Sequence, residues 1–225
     1  MNHLLLRTFL GFAFLMLVMA LALFLPAGSL GYWQGWAYLA VFAGCTLLIT
    51  LYLIRNDREL LSRRVQAGPV AETRRSQQVI QGLASLCFLA LFIVPGLDDR
   101  FGWSRVAPGV SILADGLVAL GFYVVFLTFR ENSFTSATIE TSGGQQVVTR
   151  GPYRLVRHPM YAGALFMMLF TPVALGSWVA VPLAAPLALV IVVRLLDEEK
   201  FLSANLQGYA AYREKVRYRL LPFVW

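Results

Sequence analysis

The chain has 225 residues, of which 58% are hydrophobic and 14% charged, with a mean hydropathy of +0.66. A soluble domain of this size cannot keep so much apolar surface away from water, so composition selects a membrane-embedded chain. The net charge of +7 would suit nucleic acid, but the positive residues flank apolar blocks instead of forming a stripe, which favours an anionic membrane surface.

Arg7 precedes an uncharged run, residues 8–25. That run is longer than the roughly 7–15 residues of a signal-peptide core, and a second apolar block follows after a short turn, so a retained helix is expected. Apolar blocks at 4–25, 31–54, 79–97 and 106–129 each suit one crossing of a ~30 Å hydrocarbon core. A fifth block, 159–193, would be roughly 52 Å long as a single helix. Pro172, Gly176, Pro182 and Pro186 interrupt it, so a helical hairpin turning near residues 175–178 is expected.

The resulting fold class is all-α: a polytopic membrane bundle of about six transmembrane helices with a cytoplasmic C-terminal helix. Charge placement supports that count. With both termini cytoplasmic, 17 of the 19 basic residues fall on inner segments and only Arg100 and Arg105 lie outside. The expected organisation is one integral-membrane domain, 1–225, with four spans in 1–129 and a C-terminal part in 130–225 that contains the hairpin. Its expected location is a bacterial inner membrane.

Several features have structural readings. Cys45 and Cys87 sit in apolar stretches without metal-ligand spacing and read as packing residues, so no metal site is expected. The tryptophans read as interfacial anchors. Asp115 is an acid well inside a span, where it can face a polar crevice. The 132–149 loop alternates apolar and polar residues around Ser142-Gly143-Gly144, the pattern of a short hairpin or flap.

Chemistry concentrates after that loop, in Gly151-Pro152-Tyr153-Arg154-Leu155-Val156-Arg157-His158-Pro159-Met160-Tyr161-Ala162-Gly163. Pro159 suits the first position of a helix, leaving His158 near the N-cap. The positive end of that helix, with Arg157 beside it, can hold an anionic group. Tyr161 lies one turn inside, and Gly163 lets a backbone or a flat ligand approach. After the hairpin come Arg194 and Asp197-Glu198-Glu199, with Arg194 and Glu198 on one helix face. The fold-back would bring an acidic pair beside a basic, aromatic collar, a combination suited to a zwitterionic or cationic ligand. The bland alternative is a set of arginines on lipid headgroups with an interfacial tyrosine belt.

The ordered pattern Gly-Pro-Tyr-x-x-x-Arg-His-Pro-x-Tyr-x-Gly, an uncharged hairpin, then Arg-x-x-x-Glu-Glu resembles the isoprenylcysteine carboxyl methyltransferases and their phospholipid methyltransferase relatives. Gly208-Tyr209-Ala210-Ala211-Tyr212 and Arg219-Leu220-Leu221-Pro222 are also similar. The resemblance implies an integral-membrane enzyme using S-adenosyl-L-methionine without a Rossmann-type domain. It implies cofactor contacts from Tyr153, His158, Pro159, Met160 and Tyr161, beside Arg157 and Gly163. Gln145, Gln146, Val147 and Val148 would close over the pocket, and Glu198 or Glu199 would hold the nucleoside or amino-acid end. Arg194 matches the arginine that orients a carboxylate acceptor; Glu198, Glu199 or His158 would serve as base for an amine. Asp197 lengthens the acidic cluster relative to the family.

The implied partners are the membrane and a lipid or lipidated acceptor. Nucleic acid and an obligate protein partner are not expected. Carboxyl methylation leads because Arg194 is present. The competing readings are phospholipid amine N-methylation, an NADPH-dependent membrane sterol or enone reductase, and a non-enzymatic membrane scaffold.

Overall fold

The computed structural model describes residues 2–65, 75–135 and 146–225, and these are helical with no strand among them. Four helices are long and apolar enough to cross a membrane: α1 (Asn2–Ala27), α2 (Trp33–Asn56), α4 (Arg75–Phe101) and α5 (Pro108–Glu131). Between α2 and α4 lies the short, charged α3 (Arg58–Val65). The fifth apolar block is the expected hairpin, with α6 (Pro159–Ala174) and α7 (Ala184–Asn205) as its arms, and α8 (Tyr209–Lys215) follows. The chain is a polytopic helical membrane protein.

The hairpin turns where the sequence places its breakers. Leu175 ends α6, Gly176 takes a φ of +79° that an L side chain adopts at a cost, and a 3-10 turn, Val181–Leu183, leads into α7. Asp98, at the end of α4, fastens this turn by accepting bonds from the backbone N–H of Ser104 at 2.6 Å and from the hydroxyl of Ser177. Tyr32 Oη adds a bond to the carbonyl of Leu175. At 16 residues α6 rises roughly 24 Å, less than a ~30 Å core.

The main core joins α1, α2, α4, α5 and the hairpin turn around Met19, Leu23, Tyr38, Phe92, Val118 and Leu175. The tightest pairing is between α5 and α6, and glycine is the reason. A Cβ on Gly163 would sit 2.9 Å from the carbonyl oxygen of Gly121, so both positions bring the two backbones into contact. This contact fixes the start of α6 against the middle of α5.

At the same end of the bundle, α3 packs Leu60 and Leu61 onto Leu53, Val125 and Phe129. Arg63 donates from Nη1 to the carbonyl of Ser133 at 2.8 Å, tying α3 to the segment after α5. Asp115 is buried within α5, and among the described residues no hydrogen-bond partner reaches its Oδ1.

Candidate active site

Three stretches of chain converge where α5 ends and α6 begins. Pro159 opens α6 at its first position and His158 is the N-cap, as the sequence predicts, but the imidazole does not cap the helix. It turns to α7, where its Nε2 lies 3.3 Å from Glu199 Oε1. Behind α6, the backbone N–H groups of Arg157 and His158 donate to the carbonyls of Tyr218 and Arg219, at 2.9 and 3.0 Å. The 216–222 strap therefore runs against the motif and holds it in place.

Two neighbouring glutamates have different surroundings. Glu199 is buried among three basic side chains: Arg157 Nε at 2.8 Å from Oε1, His158 on the same oxygen, and Arg219 Nε donating to Oε2 at 3.0 Å. The Arg157 contact is an ion pair whose Nε–H is not aimed for a hydrogen bond. Glu199 lies beyond the apolar part of α7. Burial alone would raise its pKa, but the bonds from His158 and Arg219 and the charges of His158 and Arg157 bring it down to about 2.

Glu198 instead faces a cavity. Tyr161 Oη donates to Glu198 Oε2 at 2.6 Å and accepts from Arg194 Nε at 3.0 Å, so one hydroxyl links the arginine to the carboxylate. The rings of His158 and Tyr161 stack with centroids 5.8 Å apart.

The cavity is bounded by Tyr153, Arg157, His158, Pro159, Met160 and Tyr161 on one side and by Arg194 and Glu198 on the other. Gln146, Val147 and Val148 form a further wall. Gln145 and the proposed hairpin around Ser142-Gly143-Gly144 lie outside the described residues. Two candidates are not on the lining. Gly163 faces Gly121 of α5, the backbone approach allowed for it in the sequence. Glu199 is turned away, held by Arg157, His158 and Arg219.

The lining also includes residues absent from the sequence-derived site: Asn132, Phe134, Thr135, Leu202, Leu206, Tyr209 and Tyr212. Tyr209 and Tyr212 are three apart on α8 and share a face, a legible signal once α8 is known to fold back. Asn132 donates from Nδ2 to Tyr153 Oη at 2.8 Å, and Tyr212 Oη donates to the carbonyl of Tyr153 at 2.8 Å. The Tyr153 and Tyr209 hydroxyls have pKa values raised chiefly by burial, and both are neutral donors at physiological pH.

The chemistry of these groups, though not the enclosed volume, suits a nucleoside-bearing amino acid. Tyr209 lines the cavity, and its buried Oη has no hydrogen-bond partner among the described residues. Such a hydroxyl calls for a polar ligand atom, since an unsatisfied buried donor costs about 1–3 kcal/mol. Glu198 suits a cation or a pair of hydroxyls, and Val147, Val148, Leu202 and Leu206 supply an apolar wall. The cavity encloses about 100 Å³, below the roughly 300–1,000 Å³ of small-molecule sites.

Comparison with known proteins now bears on this geometry. Residues 110–208 match the phospholipid methyltransferase family. The matched region starts in α5 and runs through both arms of the hairpin to Gly208, so it contains the glycine contact, the His158 motif and both glutamates. It is less than half of the chain, and over that region it bears out the resemblance read from the sequence. The chain is also similar to mouse (Mus musculus) Delta(14)-sterol reductase TM7SF2, 31% identical over 106 residues. That alignment takes in 44% of this chain and 25% of the reductase, so the chain spans about a quarter of the curated relative it matches.

Proposed function

We propose that this protein is an integral-membrane methyltransferase that uses S-adenosyl-L-methionine to methylate a membrane-associated acceptor at the cytoplasmic face. The observation that carries this reading is the linked set Arg194–Tyr161–Glu198, which lies within the region matching the phospholipid methyltransferases, beside a Tyr209 hydroxyl with no partner among the described residues. When bound, the cofactor supplies a methyl group already activated by its sulfonium.

The protein's contribution is to bind, orient and exclude water. Glu198 offers its carboxylate to the cationic or hydroxyl-bearing part of the cofactor, oriented by the bond from Tyr161. Tyr209 donates to a second polar atom, and Gln146, Val147 and Val148 cover the site. Arg194 orients the acceptor while Tyr161 keeps the guanidinium in register. A carboxylate acceptor needs no general base, and carboxyl methylation is therefore the leading form. An amine acceptor has to lose a proton, for which Glu198 is the carboxylate at the cavity wall. Glu199 and Arg157 act as positioning residues that hold His158.

The likeness to a sterol reductase favours one second reading, an NADPH-dependent reductase. Thermal unfolding of the detergent-purified protein separates the two. Stabilisation by S-adenosylhomocysteine but not NADPH is the expected result, and the reverse would replace the methyltransferase reading. Incubation with radiolabelled methyl donor and membrane extract should then place label in a base-labile ester; label in a stable amine selects the amine form.

A further inference from the structure

The two most exposed large apolar side chains among the described residues are Phe223, at 87%, and Val224, at 76%, and both sit in the loop at the end of the strap. The depth of that loop follows from its neighbours. Arg157 and His158 pair in parallel with Tyr218 and Arg219, and one residue on, Leu220 packs against Tyr161, Ile191 and Leu195. Leu221, Phe223 and Val224 therefore leave the bundle at the level where the apolar part of α6 begins. On the water side of the paired residues, the same two segments carry exposed Arg154, Lys215 and Arg217 against one acid, Glu214. The loop is closed on itself. The N–H groups of Arg219, Leu220 and Leu221 all donate to the main-chain oxygen of Trp225, at 2.8, 3.0 and 3.1 Å, and the Arg219 guanidinium lies 4.9 Å over the Trp225 ring. Phe223 takes a φ of +65° in this loop, a left-handed conformation that a bulky residue adopts at a cost. Strain is accepted where it turns an apolar ring outward.

We propose that residues 221–225 form a membrane-surface anchor: Leu221, Phe223 and Val224 enter the leaflet next to the cavity, and Arg154, Lys215 and Arg217 meet its anionic head groups. Apolar residues at the deeper level and basic residues at the shallower one are the pattern of an interfacial segment, and each Lys or Arg near an anionic surface strengthens the attraction. Facing water, the same loop would hold its apolar groups outward with no burial to offset the strain. A tryptophan at this boundary, its ring against Arg219, suits the head-group level. The anchor also acts on the cavity. Its strap clamps the backbone of Arg157 and His158, and Arg219 Nε holds Glu199 Oε2 at 3.0 Å. Seating the loop in the leaflet therefore steadies the His158 motif and, on the methyltransferase reading, strengthens cofactor binding.

The test uses the full chain carrying Cys45→Ala and Cys87→Ala, in nanodiscs of phosphatidylcholine with or without about 30% phosphatidylglycerol. An environment-sensitive fluorophore on Val224→Cys is compared with the same label on Asn205→Cys, an exposed position at the end of α7. Lipids brominated on their acyl chains should quench the label at 224 about threefold or more over the label at 205, and anionic lipid should widen that gap at low salt. Phe223→Gly removes the ring and suits a positive φ, so it should lose most of the quenching without lowering the melting temperature in detergent. Phe223→Trp should keep the quenching. In anionic nanodiscs, Phe223→Gly should bind S-adenosylhomocysteine about threefold more weakly than the parent chain. Equal quenching at 224 and 205 overturns the anchor, as does quenching that Phe223→Gly leaves unchanged. Quenching indifferent to anionic lipid overturns the role given to the basic residues. Equal S-adenosylhomocysteine affinity in Phe223→Gly and the parent chain overturns the link to the cavity. Failure of the parent chain to bind S-adenosylhomocysteine defeats the methyltransferase reading, whereas the quenching series still reports on the anchor.

Discussion

Adjacent positions on α7 take opposite roles because helical geometry turns them by about 100° from one another. Glu198 points into the cavity and Glu199 into a cage of Arg157, His158 and Arg219. Conservative neutral substitutions should therefore separate them. Glu198→Gln is expected to weaken S-adenosylhomocysteine about tenfold, the loss of one charge-assisted contact, with little change in thermal stability. Titration calorimetry on the purified protein measures it. Glu199→Gln should act on stability instead. Because its folded pKa is depressed to about 2 from the ordinary 4.5, ionised Glu199 contributes stability above pH 4.5, and that contribution is lost as pH falls toward 2. Melting temperature followed from pH 6 to 2 should fall more steeply in wild type than in Glu199→Gln, and parallel curves would refute the assignment. The sequence shows a Glu-Glu pair beside Arg194. Which member faces the ligand depends on the rotation of α7 and on Arg219, which arrives from 20 residues downstream, and spacing alone carries neither.

Elements that depend on local pattern were legible, and those that depend on a partner were not. The hairpin could be read from Pro172, Gly176 and Pro182 because breakers act within their own turn. By contrast, α3 has eight residues, four of them charged, too short and too polar to signal a span. Its two leucines acquire meaning only when Leu53 and Phe129 are there to receive them. Tyr209 and Tyr212 enter the cavity only because the chain after α7 folds back. The same dependence applies to Gly163, whose partner Gly121 lies on another helix. Gly163→Ala must push α6 away from a backbone oxygen that cannot yield as a side chain would. A loss of about 1–3 kcal/mol is expected, in the range of overpacked cores. Thermal unfolding should show it, together with reduced S-adenosylhomocysteine binding, since α5 and α6 together place Asn132 and His158. An unchanged melting temperature would mean that the helices are not in contact there.

At the scale of the whole molecule, the distribution of charge and the position of the site are one fact. The alternating directions of the long helices gather the start of α1, the end of α2, α3, the end of α5 and the start of α6 at one end of the bundle. That end carries Arg7, Arg55, Arg58, Arg63, Arg64, Arg130, Arg154 and Arg157. Arg100 and Arg105 lie at the other, beside Asp98 and Asp99. Basic flanks favour the cytoplasmic side, so the cavity is expected to open inward, where a soluble, charged cofactor is available. Single-cysteine labelling in intact cells tests the orientation directly, after Cys45 and Cys87 are replaced by alanine. Ser29 and Asn205 are both exposed and belong to opposite ends of the bundle. Ser29→Cys should react with a membrane-impermeant maleimide in intact cells, whereas Asn205→Cys should react only after the membrane is opened. The reverse pattern would place the cavity outside, away from any cytosolic methyl donor, and would remove the methyltransferase reading along with the orientation.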